Sequence, residues 1–171
     1  MSKSTILFQE IKENDIVMQI KNDFGDFYEI TEIQNDKRHG TTSIYNKENT
    51  ILEKIEYTNN LKNGWNTLYN TDGNINSKWH YINGVLNGTS LIFYEDGQLM
   101  SEMNYEDGEL NGISKEYDTN GSVAVLMNFI SGKREGKTVI FNYDKEIITE
   151  KIYKSDVLEY IKENNNLFFP N

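Results

Sequence analysis

The chain contains no cysteine, one proline and two histidines in 171 residues. Without cysteine there are no disulfides, thiolate nucleophiles or cysteine-based zinc sites. Two isolated histidines are too few for a histidine-rich metal site. No apolar run approaches the roughly 20 residues of a transmembrane helix, and the apolar run near the start is too short for a secretory leader. We therefore expect a cytoplasmic protein with no metal, no cofactor and no membrane association.

Positive charge is also scarce, because 17 lysines and arginines face 27 acidic residues and give a net charge of −10. Binding to nucleic acid or to an anionic membrane requires clustered basic residues that contact phosphate. The composition therefore argues against both as main partners. It favours solubility and, where a protein partner exists, a basic one.

Against these absences stands a strict repeat of 24 residues. Glycines and aromatic rings recur on this step, and a repeat of 20 to 50 residues indicates stacked units. The first glycine series is Gly40, Gly64, Gly88, Gly112 and Gly136, and the second is Gly73, Gly97 and Gly121. The first row of rings is Tyr57, Tyr81, Tyr105, Phe129 and Tyr153, and the second row is Tyr45, Tyr69, Phe93, Tyr117 and Phe141.

Each 24-residue unit is predicted to be one β-hairpin followed by a connector. Asp96-Gly97 lies between two runs rich in aromatic, aliphatic and β-branched residues. An Asp-Gly pair in that setting predicts a type I′ turn with positive φ at both residues. The connector Asn83-Gly84-Val-Leu-Asn-Gly88 predicts a longer turn with one or two left-handed positions.

The second strand of each unit alternates with a period of two, which is typical of a half-buried antiparallel strand. Leu99, Ser101, Met103 and Tyr105 share one face of such a strand. Successive units then place the rings of each row side by side, and each unit contributes two stacked rings to an aromatic spine. A register slip by one residue would expose every ring, so turns and rings specify the same register.

The repeat is clear over about residues 37–153 and degenerate over 1–36, where residues 5–11 are expected to add a strand. We assign residues 1–154 to the repeat array. Residues 155–171 are assigned to a C-terminal capping helix and an apolar tail, with Asp156 as N-cap and Glu159 completing a capping box. The predicted fold is all-β, an elongated twisted antiparallel sheet of tandem hairpins with this helix as its cap.

The units that begin at Asn63-Gly64, Asn87-Gly88 and Asn111-Gly112 and end at Gly73, Gly97 and Gly121 resemble the bacterial variant of the MORN repeat. The resemblance implies a twisted antiparallel sheet of hairpins with no shared catalytic motif. Standalone bacterial proteins of this type, the YwqK-like family among them, are often grouped with the antitoxins of toxin–antitoxin pairs, and others resemble interaction or surface modules. Eukaryotic MORN proteins are linked to phospholipids, which the acidic charge of this chain disfavours.

Few residues of the sequence are candidates for catalysis, metal binding or partner contact. His39 and His80 lack the orienting partner of a catalytic base, and we interpret both as solvent-exposed. Asp72, Asp96 and Asp107 match turn chemistry and not a calcium loop. Trp65 departs from its repeat position, where Thr or Ile stands in other units, so it is a candidate partner contact. We predict no catalytic, metal-binding or cofactor-binding residues.

These observations favour a non-enzymatic module that binds a protein partner, and an antitoxin or immunity role against a basic toxin is its most concrete form. The alternative is a structural protein that associates with copies of itself, so that the chain is a monomer or a homodimer. A phospholipid-binding or carbohydrate-binding module is a further alternative. An enzyme is disfavoured, because the sequence shows no recognisable catalytic arrangement of side chains.

Overall fold

The computed structural model describes residues 3–12, 15–163 and 166–170. The chain divides into two compact units, Met1–Val85 and Leu86–Asn171. The strands of the first unit are β1 (Lys3–Lys12), β2 (Asp15–Asp23), β3 (Phe27–Gln34), β4 (Lys37–Asn46), β5 (Ile51–Thr58), β6 (Leu61–Tyr69) and β7 (Ile75–Ile82). The short β8 (Val85–Leu86) contains the last residue of the first unit and the first residue of the second.

The strands of the second unit are β9 (Gly88–Phe93), β10 (Leu99–Glu106), β11 (Glu109–Leu110), β12 (Gly112–Tyr117), β13 (Val123–Ile130), β14 (Lys133–Arg134), β15 (Gly136–Phe141), β16 (Ile147–Lys154), β17 (Val157–Glu163) and β18 (Asn166–Phe168). Within the described ranges every element is a strand, and no helix there could cross a membrane. Strands that follow one another pair antiparallel in both units. The prediction of an all-β protein built from antiparallel hairpins is confirmed.

The hairpin turns differ from the type I′ turn that Asp96-Gly97 predicts. Gly97 N–H donates to the Tyr94 carbonyl, and Tyr94 N–H donates to the Gln98 carbonyl. Gly97 has a φ of +86°, whereas Glu95 and Asp96 are absent from the positive-φ region. The turn is therefore a four-residue turn closed by one left-handed residue, the three-to-five-residue hairpin type that carries a G1 bulge.

The two-residue turns with two left-handed positions lie in the connectors instead. Asn83 and Gly84 have φ values of +48° and +87°, and Ser131 and Gly132 have +47° and +78°. These are the angles of type I′ turns. Each connector also contacts the preceding one, since Gly132 N–H donates to the Leu110 carbonyl and Gly108 N–H donates to the Leu86 carbonyl.

The first row of rings is paired with the first series of glycines, one ring to each glycine. Gly112 stands opposite Phe129, and Gly136 stands opposite Tyr153. The same pairing joins Gly40 to Tyr57, Gly64 to Tyr81 and Gly88 to Tyr105. A glycine offers no side chain across the strand pair, so the ring can lie over its backbone, an arrangement also used in designed sheets.

Small polar side chains next to these glycines are among the most buried in the chain. Ser90 and Ser114 are 0% and 2% exposed, and their register partners are Met103 and Met127. In the first unit Thr42 is 1% exposed, pairs with Ile55, and donates a hydrogen bond to Thr31 at 3.2 Å. A small hydroxyl residue beside a large apolar residue lets neighbouring strands interdigitate on one face. We call this the ladder face.

The second row of rings lies on the opposite face, which we call the groove face. Along β12, alternation separates Ser114 from Lys115 and Tyr117. The Tyr117 hydroxyl and Lys115 Nζ both lie 3.2 Å from the Glu102 carboxylate. The expectation that each unit stacks its two rings in one spine is therefore wrong. A bulge places Tyr117 opposite Val123, so alternation counted along the partner strand assigns the ring to the wrong face.

The predicted C-terminal capping helix is also wrong. Residues 157–163 form β17, which pairs with β16 and β18. Ser155 and Asp156 have φ values of +49° and +70°, so they form the same connector turn as Ser131-Gly132. An N-cap residue needs extended φ and ψ, which Asp156 lacks. The strand expected over residues 5–11 is confirmed by β1.

Gly64 offers a test of the glycine positions. Its φ is +112°, and a Cβ built there overlaps the Glu56 carboxylate. We expect Gly64→Ala to lower the free energy of unfolding by about 2–3 kcal/mol, because left-handed strain adds to the loss of the Glu56 hydrogen bond. Gly25→Ala is the matched control, with φ +95° and open space around the Cβ, and should cost only about 1–2 kcal/mol. Equal losses in urea unfolding would contradict the overlap.

Lys145 occupies the hairpin position that glycine holds in other units, with a φ of +62°. Replacing it with glycine removes left-handed strain, so Lys145→Gly should raise the unfolding free energy by about 1 kcal/mol. The reciprocal variant Gly97→Lys should lower it by a similar amount. Thermal and urea unfolding measure both, and a destabilised Lys145→Gly variant would refute this account of the turn.

Candidate interaction surface

Polar side chains of the groove face hold the backbone where each first-series glycine interrupts the strand. Glu32 and Glu56 accept hydrogen bonds from the backbone N–H of Thr41 at 2.7 Å and of Trp65 at 2.9 Å. In the second unit Asn128 Nδ2 donates to the Glu135 carbonyl at 3.0 Å. These groups share one position of the 24-residue repeat. They satisfy backbone groups that the irregular pairing leaves free of ladder bonds.

Two clusters of charge lie on the groove face of the second unit. In one, Lys115 Nζ is 3.2 Å from Glu102. In the other, Glu150 accepts a 2.7 Å hydrogen bond from Lys137 and lies 3.8 Å from Lys162. Lysine outnumbers glutamate in these two clusters, although the chain as a whole is acidic.

The contacts shift several pKa values in these clusters. The hydrogen bond from Lys137 lowers the pKa of Glu150, and the same bond raises the pKa of Lys137. Burial and the nearby Glu102 charge raise the pKa of the Tyr117 phenol, whereas the hydrogen bond with Glu102 raises the pKa of Lys115. All of these groups keep their ordinary charge at neutral pH, so the clusters act as fixed charges.

An apolar groove runs along β13 between these charged clusters. Leu126 is shared by both of its halves. The half toward the hairpin turns is lined by Val123, Phe141 and Lys145, and the half toward the connectors by Ile113, Val139 and Lys137. Ile113 is 53% exposed. We call this surface the Leu126 groove.

The central positions of the groove, those of Leu126 and Val139, carry polar residues in most other units. The position of Leu126 holds Lys54, Lys78, Glu102 and Glu150 in four other units and Ile30 in a fifth. The position of Val139 holds Ser43, Thr67 and Lys115 in three of the others and Leu91 in a fourth. Because most units form the same hairpin with polar residues at these two positions, the fold does not require apolar residues there. The positions of Val123 and Phe141, by contrast, are apolar or aromatic throughout the repeat. The departure at Leu126 and Val139 is the sequence signal that could have identified the site.

Trp65, the candidate partner contact, shares the repeat position of Ile113 and is half-buried. Its ring contacts the His80 ring edge-on at 5.0 Å, and Lys78 Nζ lies 4.5 Å from its centre. His80 is therefore packed against an aromatic ring and is not solvent-exposed as expected. His39 is also half-buried. The Trp65 surface and the Leu126 groove lie in different units.

The glycines and rings of the repeat have the following conformations and burial. Positive φ is found at Gly40, Gly64, Gly88, Gly112, Gly136, Gly73, Gly97 and Gly121. Tyr57 and Tyr153 are each 9% exposed, and Tyr81, Tyr105 and Phe129 are half-buried. Cations lie over three of the rings: Arg38 over Tyr57, Lys62 over Tyr81 and Arg134 over Tyr153, at 5.3, 5.0 and 4.2 Å.

Carboxylates concentrate at the turns that border the groove face of the second unit. The hairpin turns of residues 118–122 and 142–146 carry Asp118, Asp144 and Glu146 beside a single cation, Lys145. The connector turns at the other end carry Glu106, Asp107 and Glu109, which line a separate polar pocket, and Glu135 beside the cations Lys133 and Arg134. Asp118 accepts hydrogen bonds from the N–H groups of Asn120 and Ser122, which is the turn chemistry expected for such residues.

Among the residues that the structure describes, no group of three or more His, Asp or Glu side chains could hold a metal ion. The groove can bury apolar side chains of a ligand and align charges at its ends. Its lining combines aliphatic residues, one aromatic ring, two lysines and one glutamate. The lining of the Leu126 groove therefore suits the binding of a ligand.

Two stretches of the chain, residues 86–107 and 110–131, match the family model described as the MORN repeat variant. They begin one repeat step apart and cover two consecutive units of the second half of the chain. MORN repeats are commonly protein- or membrane-interaction modules and are generally non-enzymatic. No curated protein matches the chain.

The Lys137–Glu150 pair beside the groove has a pH signature. Because the pKa of Glu150 is lowered on folding, its contribution to stability is present above the ordinary carboxyl pKa of 4.5 and is lost as pH falls through the lowered value. Lys137→Met should move the Glu150 pKa back up toward 4.5 in a carbon-13 NMR titration. Lys133→Met, which removes a lysine outside this pair, should leave it unchanged. An unshifted Glu150 in Lys137→Met would show that the pair does not form.

Proposed function

We propose that this chain is a non-enzymatic module that binds a basic protein partner in the cytoplasm through the groove face of its second unit. The observation that carries the proposal is an exposed apolar groove whose central positions, those of Ile113, Leu126 and Val139, carry polar or charged residues in most other units. Apolar surface that the fold does not require is typical of interaction sites. The match of this unit to the MORN repeat variant supports an interaction role.

The charge of the chain supports a basic partner. The net charge of −10 attracts cationic proteins over distances beyond direct contact and speeds their association. Carboxylates in the turns beside the groove place part of that charge next to the apolar surface. An antitoxin or immunity protein that covers a basic toxin is the most specific form of this proposal, and it extends the family resemblance.

The proposal is tested by affinity capture of the tagged chain from its native host. We expect a stoichiometric basic protein to co-elute, and we expect the complex to weaken as salt rises because steering and rim charge pairs are screened. The purified pair, measured by calorimetry at low and high salt, gives the size of the effect. Absence of any stoichiometric partner, or a partner that is acidic and bound independently of salt, would refute the proposal.

Self-association is a second candidate function, favoured by a different observation. Ile6, Leu7 and Phe8 are 58%, 49% and 47% exposed on β1. A run of exposed apolar residues on a strand favours pairing with another copy. Sedimentation should then show a concentration-dependent dimer that Phe8→Lys disrupts, whereas a monomer at high concentration would remove this candidate.

A further inference from the structure

The Leu126 groove has a length and a charge pattern that select a particular kind of ligand. Its lining follows β13 from Val123 to Asn128. At about 3.3 Å per residue, that stretch is about 20 Å long, the span of six or seven extended residues. The middle of the groove is lined by Ile113, Leu126 and Val139. Leu126 pairs with Val139 on one side and with Lys115, whose charge is paired with Glu102, on the other.

Both ends of the groove are bordered by carboxylates. At the hairpin end, Lys145 lines the groove, and the carboxylates Asp118, Asp144 and Glu146 outnumber it in the two turns that border this end. At the connector end, Glu135 lines the groove, and its carboxylate accepts a 2.8 Å hydrogen bond from Ser155 N–H. Of the cations at this end, Lys137 is paired with Glu150 and Arg134 with Asp156. Lys133 stands in the connector turn beside the carboxylates Glu106, Asp107 and Glu109 of the neighbouring connector. The charge that remains for a ligand is therefore predominantly negative at the two ends.

We propose that the Leu126 groove binds an extended segment of a protein partner that has apolar side chains in its middle and Lys or Arg near both ends. The apolar middle buries Ile113, Leu126 and Val139. The basic ends lie beside the turn carboxylates. This inference rests on the proposed function, because it identifies the surface and the partner chemistry of the same binding activity.

A second copy of this chain fits the groove less well. Copies with a charge of −10 repel each other, and the groove ends carry the same sign of charge. An acidic segment meets the same repulsion at both ends. A basic segment is attracted electrostatically at both ends and keeps its apolar contacts in the middle.

The test is selection from a random decapeptide display library on the immobilised full chain, with binding of the enriched peptides measured by fluorescence anisotropy. We expect the enriched sequences to carry an apolar run of about four to six residues flanked by Lys or Arg. Ile113→Lys should weaken their binding about tenfold or more, because it adds a cation to the apolar part of the groove. Asp144→Asn with Glu146→Gln should weaken it about threefold and flatten the salt dependence.

Ile82→Lys is the matched control, because Ile82 is 45% exposed in the first unit and does not line the groove. Circular dichroism and thermal unfolding of each variant verify that the fold is kept. Enriched peptides that are acidic, peptides that bind Ile113→Lys as tightly as the wild type, or no enrichment at all would overturn the inference. So would a dimer of the wild type that Ile113→Lys dissociates, because the groove would then be occupied by a second copy.

The host capture experiment separates this inference from the proposed function. If a basic partner binds the wild type and Ile113→Lys equally, the groove assignment fails and the binding function stands. If no stoichiometric partner is captured, the binding function itself fails.

Discussion

The structure depends on the pairing of a left-handed glycine with an aromatic ring across two strands, as in Gly112 with Phe129. The glycine permits an irregular strand at that point, and the ring covers the backbone that a side chain would otherwise shield. The pairing determines the register of each unit, and the register decides which side chains face the ladder and which face the groove. Ser114 can therefore be buried beside Met127 in a sheet.

The sequence predicted the hairpin repeat well because turn glycines and rings report the same register independently. The predictions from sequence were wrong where the backbone conformation at a single residue decides the local structure. The bulge beside Tyr117 turns the second row of rings to the other face, and alternation counted along the partner strand cannot reveal a bulge. Aspartate is common both at helix N-caps and at left-handed turn positions, so the residue type alone did not distinguish the two at Asp156. The β-branched residues Val157 and Ile161 favour a strand, and both lie in β17.

The candidate site was harder to predict than the fold for a related reason. A repeat protein reveals its fold through what its units share, whereas a binding site is found where one unit differs. Trp65 was identified by such a difference, but Leu126 was hidden because a leucine in a strand is unremarkable until its neighbours in the other units are compared. The structure added the fact that Leu126, Ile113 and Val139 meet on one face. The function we propose for the groove rests on its apolar middle and its charged ends.

The assignment of the second row of rings to the groove face is tested most directly by NMR of the Tyr117 ring in the full chain. The account predicts nuclear Overhauser contacts from that ring to the side-chain methylenes of Lys115 and Glu102. Contacts from the ring to the methyl groups of Val125, on the ladder face, would contradict it. Phe141, the ring of the same row that lines the Leu126 groove, would then be assigned to the ladder face as well.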